Sequence, residues 1–541
     1  MRLIAASTML LALCAVGCHG VGREAGTVVV VIESSPNNLD LRQGTDAQSA
    51  RVGGLIFDAL VKKDEHDNLR PWLARSWEQP DPLTWVIHLR DGVRFSDGRP
   101  LEAADVVWTI ESLIDPKLTA GLPGGALVSS VSGNFASVDR AEARDRLTVV
   151  VHMKRPDAGL LFNMSDGLFG VVPRGAGSDF GLNPVGSGAF KFVSQLQDKE
   201  VVVQRNHACW SDGLGGIDPT HRDTAAMDGA PGHSEIERVR FMVVPDGTTT
   251  ALELRKGSAD VSSNALTPDM VYALRDAPGL ETSRATGTNV WYLNFNVGVG
   301  ALRDKRVRQA VALAIDRPAI IAPLWRGHAR LAESLLPEGH WAAATAEELA
   351  QYPHDPARAQ ALLEAAGYRA GRDGVRVRLE LKVSTEEESR LLAAVLQQQL
   401  RAAGIAVTIR SAEFGTFYSD VTKGAFEMYV LKWVGSNEDP DIFRYMYSSG
   451  SFPPKGANRG HYVNAQVDAL LAKAAEERGP AAEVEARRRA EYIEVEQILA
   501  DEMPSVPLWY PDSEVVHTTR LEGIRARGDG SFDFLRDGRV R

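Results

Sequence analysis

Helix signals alternate with strand signals through the second half of this chain, and that alternation points to a layered α/β fold. In DPARAQALLEAAGY (355–368), Asp355 is placed to cap a helix, Pro356 takes the first helical position and Gly367 stops the helix. A second helix, over about 386–403, puts Leu392, Val395, Leu396 and Leu400 on one face, and Gly404 ends it before the strand-like IAVTIR. Upstream, DKRVRQAVALAIDR spaces Val307, Ala310, Val311, Ala314 and Ile315 as one face of an amphipathic helix. The first half supplies strands. TVVVVIE (27–33) is a β-branched run suited to a buried strand. LTWVIHLRDGVRF (83–95) alternates and then turns at Asp91-Gly92, which predicts a hairpin.

With 541 residues the chain is long enough for several domains, each with its own core. A formal net charge of -11 and the absence of a Lys/Arg tract argue against a general nucleic-acid binder. The Gly/Asp/Pro-rich stretch 211–234 has no hydrophobic periodicity and reads as a surface loop. G-x-S-x-G, G-x-x-x-x-G-K-[ST], H-E-x-x-H and G-x-G-x-x-G are all missing from the sequence, so the common hydrolase, nucleotide, zinc-protease and dinucleotide signatures point elsewhere. No catalytic residue and no cofactor is expected.

The N-terminus explains how such a chain meets a membrane. Arg2 precedes the apolar run LIAASTMLLALCAVG, too short for a spanning helix and suited to an export signal over 1–17. Ala15, Val16, Gly17 and Cys18 resemble the lipobox of bacterial lipoproteins, which implies cleavage before Cys18 and its acylation. An ordinary cleaved signal peptide is the alternative. Of the three cysteines, Cys14 would leave with the signal and Cys18 would carry lipid, so Cys209 remains alone and no disulfide forms within the chain. Cys209 lies near His207, His221 and His233, but the spacing matches no standard ligand pattern, and no metal site is expected.

The block GLIFDALVKKDEHDNLRPWLARSWEQPDPLTWVIHLRDGVRFSDGRPLEAADVVWTIESL (54–113) resembles the signature of the extracellular solute-binding proteins, family 5, which serve ABC importers of peptides, nickel and related solutes. NPVGSGAFKF (183–192), VVPDGTTTALELRKGSADV (243–261), YLNFNV with LRDKRVRQAVALAIDR (302–317), and DPARAQALLEAAGY continue the resemblance over nearly the whole mature chain. It implies a two-lobed periplasmic-binding-protein fold that closes on its ligand. Lobe one would comprise a first segment (18–44), an inserted subdomain (45–182), a return (183–286) and a C-terminal segment (507–541), with lobe two at 287–506. Hinge crossings are expected near RATGTNVWYL (284–293) and PSVPLWYPDS (504–513), and the ligand in the cleft between lobes.

The resemblance also directs attention to LKWVGSNEDPDIF (431–443). In the resembling peptide binders, backbone after the tryptophan pairs with the peptide, and an Asp three residues beyond it pairs with the α-ammonium group. Here Trp433 and Val434 keep the first feature, while Ser436 stands at the Asp position. Asp439 and Pro440 read as N-cap and first residue of a helix, which leaves Asn437 and Glu438 as candidate polar ligand contacts. Trp433 is equally suited to stacking on ligand and to core packing. Ser34 and Ser35 in ESSPNNLD match a ligand-lining position in lobe one. The resulting expectation is a monomeric, lipid-anchored receptor in the periplasm or at the cell surface, handing a peptide or peptide-like solute to permease subunits. A sugar, haem or metal-chelate binder stays open as an alternative, as does a hydrolase or sensory protein on the same fold.

Overall fold

The β-branched run forms the strand Thr27–Ile32, with all six residues buried. Both faces are apolar because each serves a different core: Val28, Val30 and Ile32 pack with Phe190 and Phe241, while Val29 and Val31 pack with Leu254 and Leu274. These observations come from a computed structural model, which describes residues 26–44, 46–63, 69–165, 167, 169–213, 234–434, 439–477 and 481–541.

The strand Thr27–Ile32 is central in a seven-stranded sheet ordered Leu280–Ala285, Ser513–Thr518, Val261–Ser263, Thr27–Ile32, Arg238–Val243, Glu200–Arg205, Phe190–Leu196. A six-stranded sheet follows the order Ala329–Leu331, Ser505–Pro511, Val290–Phe295, Met428–Trp433, Val377–Ser384, Ile405–Ala412. A four-stranded antiparallel sheet, Ala74–Asp81, Thr84–Leu89, Thr148–Met153 and Val138–Asp145, has a separate core around Trp72, Phe95 and Ile110. The chain steps between the two large sheets after Ala285 and again at Asp512. The sequence puts the second division at 506/507, and the strand Ser505–Pro511 carries it to Asp512.

The boundary signals act locally as read. Asp355 accepts a hydrogen bond from the Arg358 amide at 2.9 Å, the helix runs Pro356–Ala365, and Gly367 adopts the left-handed backbone (φ 93°) that favours glycine. The helix Glu387–Ala402 crosses between the parallel strands Val377–Ser384 and Ile405–Ala412, burying Leu392, Leu396 and Leu400 fully and Val395 in part. Val307, Ala310, Val311 and Ala314 are buried along the helix Lys305–Ala314.

The predicted Asp91-Gly92 hairpin does not form. Both edges of the strand Thr84–Leu89 are already occupied, by Ala74–Asp81 and by the distant Thr148–Met153. At Gly92 (φ 78°) the chain leaves the sheet and drives Val93 and Phe95 into the core. Cys209 is buried, its Sγ 3.1 Å from the Ser211 hydroxyl, and burial raises its thiol pKa. Most of the 211–234 stretch, the export signal and Cys18 lie outside the described residues. Among the described residues no helix is long and apolar enough to cross a membrane.

The lobes touch. The Gly133 amide donates to the Lys455 carbonyl at 2.9 Å, the Ala158 amide to the Ala475 carbonyl at 3.1 Å, and the Tyr445 hydroxyl to the Ser130 carbonyl at 3.3 Å. The conformation is therefore a closed one.

Candidate functional site: the interlobe cleft

In α/β sheets a ligand crevice forms where parallel strands end and their connecting loops diverge. Here that occurs twice, face to face. Parallel strands Thr27–Ile32 and Val261–Ser263 lead into Glu33, Ser34 and Asn264, while Val377–Ser384 and Met428–Trp433 lead into Glu386 and Val434. These residues line one cleft of about 1640 Å³, counted to its open mouth. The ladder between Val377–Ser384 and Met428–Trp433 ends at the pair Lys382 and Tyr429, so the two strands part as they approach the cleft.

One wall is aromatic and carries a buried cation. Trp433 lines the cleft yet is only 9% exposed, packing edge-on against Tyr445 at 6.0 Å. The Arg459 guanidinium lies 5.7 Å from the Trp433 ring centre and donates to the hydroxyls of Tyr418 at 2.8 Å and Tyr292 at 3.3 Å. Those hydrogen bonds orient it without neutralising it, because phenols are uncharged at neutral pH.

Another part of the lining is acidic. Glu33 ends the first strand of lobe one, and Glu386, Glu387 and Glu388 open the helix Glu387–Ala402 of lobe two. Burial, then the charge on Glu33, pushes the Glu386 carboxyl up to about 7, against opposing help from the Ser384 hydroxyl and Lys432. Asp439 is pushed up to about 6, first by burial, with Arg488 opposing. Among the described residues no group of three or more His, Cys, Asp or Glu side chains is arranged to hold a metal ion.

Residues 68–453 match the pattern of the bacterial extracellular solute-binding proteins, family 5 (middle). The chain belongs to that family. Di/tripeptide-binding protein 4 of Pseudomonas aeruginosa is 29% identical over 548 residues, spanning 95% of this chain and 94% of its own. The glutathione-binding protein of Escherichia coli is 25% identical over 539 residues, spanning 98% and 96%. Among solved structures, the periplasmic binding protein DppA from Helicobacter pylori in complex with the peptide STSA superposes with a TM-score of 0.82 at 24% identity, covering 95% of this chain and 98% of that one. The structural neighbours are two-lobed periplasmic binding proteins, the fold anticipated from the sequence.

For a family 5 member, the site residues read from sequence divide three ways. Ser34, Trp433 and Val434 line the cleft. Ser35 is buried, and its hydroxyl accepts the Asp198 amide at 3.3 Å, so it braces a loop. Ser436, Asn437 and Glu438 lie outside the described residues. Asp439 departs from its expected role: the helix starts later, at Ile442–Tyr447, and the Asp439 carboxylate accepts the Asp441 amide at 2.8 Å in a turn that precedes the helix. It also faces the cleft. Sequence reasoning passed over Glu33, Glu386 and Arg459. The acidic run opening the helix Glu387–Ala402 was the available signal for one of them, whereas Arg459 gains its place only through distant tyrosines.

Proposed function

We propose that this protein is the solute receptor of an ABC importer, capturing a short peptide or peptide-like solute between its lobes and delivering it to permease subunits without chemically altering it. The observation that carries this reading is the buried Arg459 guanidinium in the cleft wall, held by neutral phenols beside Trp433. It offers a carboxylate a charge-assisted partner on a buried side chain. Beyond the pair Lys382 and Tyr429 the strand Met428–Trp433 is no longer paired to Val377–Ser384, and its cleft-lining residues Leu431, Lys432 and Trp433 offer that edge to an extended backbone. Relatives named for di/tripeptides and glutathione support the same class. Ser436, in place of the ammonium-binding Asp of the resembling proteins, favours a solute whose amine is modified or lies elsewhere. Acylation at Cys18 would hold a monomeric receptor to the membrane in the periplasm or at the cell surface, two acyl chains being needed for stable anchoring.

Native mass spectrometry of the purified protein should find a peptide-like solute in the cleft. Added back at 100 times its Kd, that solute should stabilise the fold by about 2.7 kcal/mol through binding linkage. Steady consumption of the solute by pure protein would overturn the receptor reading.

A further inference from the structure

The acidic lining contains polar atoms that no described residue satisfies. Among the described residues, Oε2 of Glu33 and Oε2 of Glu387 are buried without a hydrogen-bond partner. Gln48, 1% exposed and lining the same cleft, has both amide atoms buried and unpartnered. Such groups are costly to leave unpaired, the more so when charged, so their retention at a ligand cleft points to a ligand that completes them.

The charges facing one another come from both lobes. Glu33 Oε1 lies 3.7 Å from Nη1 of Arg51, on the helix Ala47–Ile56. Glu388 lies 3.5 Å from Nζ of Lys432, and the Ser384 hydroxyl donates to Glu386 at 2.9 Å. Glu387 reaches across to lobe one: a methyl group added at Gly247, the first residue of the helix Gly247–Lys256, would meet Glu387 Oε2 at 3.0 Å. Four carboxylates against two cations leave surplus negative charge where the lobes meet, and closure brings it together.

We propose that the solute carries a cationic nitrogen, an ammonium or guanidinium group, which docks between Glu33 of lobe one and Glu386 and Glu387 of lobe two. The inference rests on the receptor reading and deepens it. Glu33, Glu386 and Glu387 would then form a cage drawn from both lobes, and Gln48, which lines the same cleft, would supply a neutral acceptor and donor. Burial, then the charge on Glu33, pushes the Glu386 carboxyl up to about 7. A bound cation lowers that value, so docking expels a proton and affinity rises with pH from 6 to 8.

Titration calorimetry of the full mature protein tests this with trialanine, N-acetyl-trialanine, N-acetyl-Ala-Lys-Ala, its norleucine analogue and the non-peptide guanidinium agmatine. At least one probe bearing a cationic nitrogen should bind with proton release, and Glu386→Gln or Glu33→Gln should weaken that probe roughly ten- to a hundredfold while barely changing those that lack one. Loss on N-acetylation assigns the cation to the α-amine; loss on replacing lysine by norleucine assigns it to a side chain. Either supports the cage. Agmatine binding without any peptide would keep the cage and remove the peptide reading. Peptides without a cationic nitrogen binding as tightly as those with one would keep the peptide reading and overturn the cage. So would failure of every cationic probe to bind, or a pH-independent affinity in the unmutated protein, a readout that needs no variant.

Discussion

Nη2 of Arg444 lies 3.6 Å from the carboxylate of Asp157, joining the second lobe to the segment that follows the four-stranded sheet. Both side chains are buried, and Arg444 also holds Asp441, its Nε donating to Oδ1 at 2.9 Å. One guanidinium thus serves two carboxylates, Asp157 from one side of the interlobe contact and Asp441 from the other.

Arg444→Met should therefore strand two buried acids. Removing one partner of a buried ion pair typically costs 3–5 kcal/mol, so a loss of about 3 kcal/mol is expected in chemical denaturation of the closed, solute-bound protein. Adding Asp441→Asn should restore part of it. An unchanged denaturation midpoint in the single variant would refute the role.

Glu496 gives a pH prediction. It is buried, accepts the Ser334 hydroxyl at 2.9 Å and the Ala344 amide at 2.6 Å, and burial pushes its carboxyl up to about 8. A carboxyl whose folded value exceeds its ordinary 4.5 binds more protons folded than unfolded, so its contribution to stability falls as pH rises from about 4.5 to 8. Glu496→Gln can keep both hydrogen bonds and cannot ionise. Its Tm should match the parent at pH 5 and exceed it at pH 8.5, by a margin on the order of a few kcal/mol in stability. Thermal scans of the two proteins across that range check it.

Arg459 separates charge from shape. Arg459→Gln should lower affinity for a free-acid peptide by roughly ten- to a hundredfold, the value of a charge-assisted hydrogen bond, while the C-terminally amidated peptide loses much less. Arg459→Lys keeps the charge but lacks the planar fork, so it should fall between. Equal losses for acid and amide would mean that Arg459 only braces the tyrosines.

The anchor is tested apart from the cleft. Cys18→Ala should abolish incorporation of labelled fatty acid in cells and leave an unprocessed or soluble product. Equal labelling of the variant would overturn acylation at Cys18.

Much of the fold was legible because its signals are local. Asp355, Pro356 and Gly367 act within one helix, and the run Val28–Ile32 is apolar throughout because both faces of its strand are covered. The hairpin reading of 83–95 failed for a non-local reason: Thr148–Met153 takes the edge that residues 93–95 would have needed. The cleft divides the same way. Trp433 and Ser34 stood out by resemblance, whereas Arg459 meets Tyr292 and Tyr418 only once lobe two has folded, and Glu33 meets Glu386 only where the two lobes come together. No sequence window holds such a pair.

The two crossings between lobes run side by side. Ala285 pairs with Ser513 in one sheet and Trp291 with Trp509 in the other, and between them Gly287 sits so close to Pro511 that a Cβ would come within 1.9 Å of its carbonyl oxygen. Two appressed strands bend together more readily than they swivel. The work of bending them enters the apparent affinity for every solute as one shared factor, the population of the competent form. Changes at Gly287 or Pro511 would then turn the receptor's sensitivity up or down across its whole solute range while preserving the ranking among solutes, so gain and selectivity can be adjusted separately.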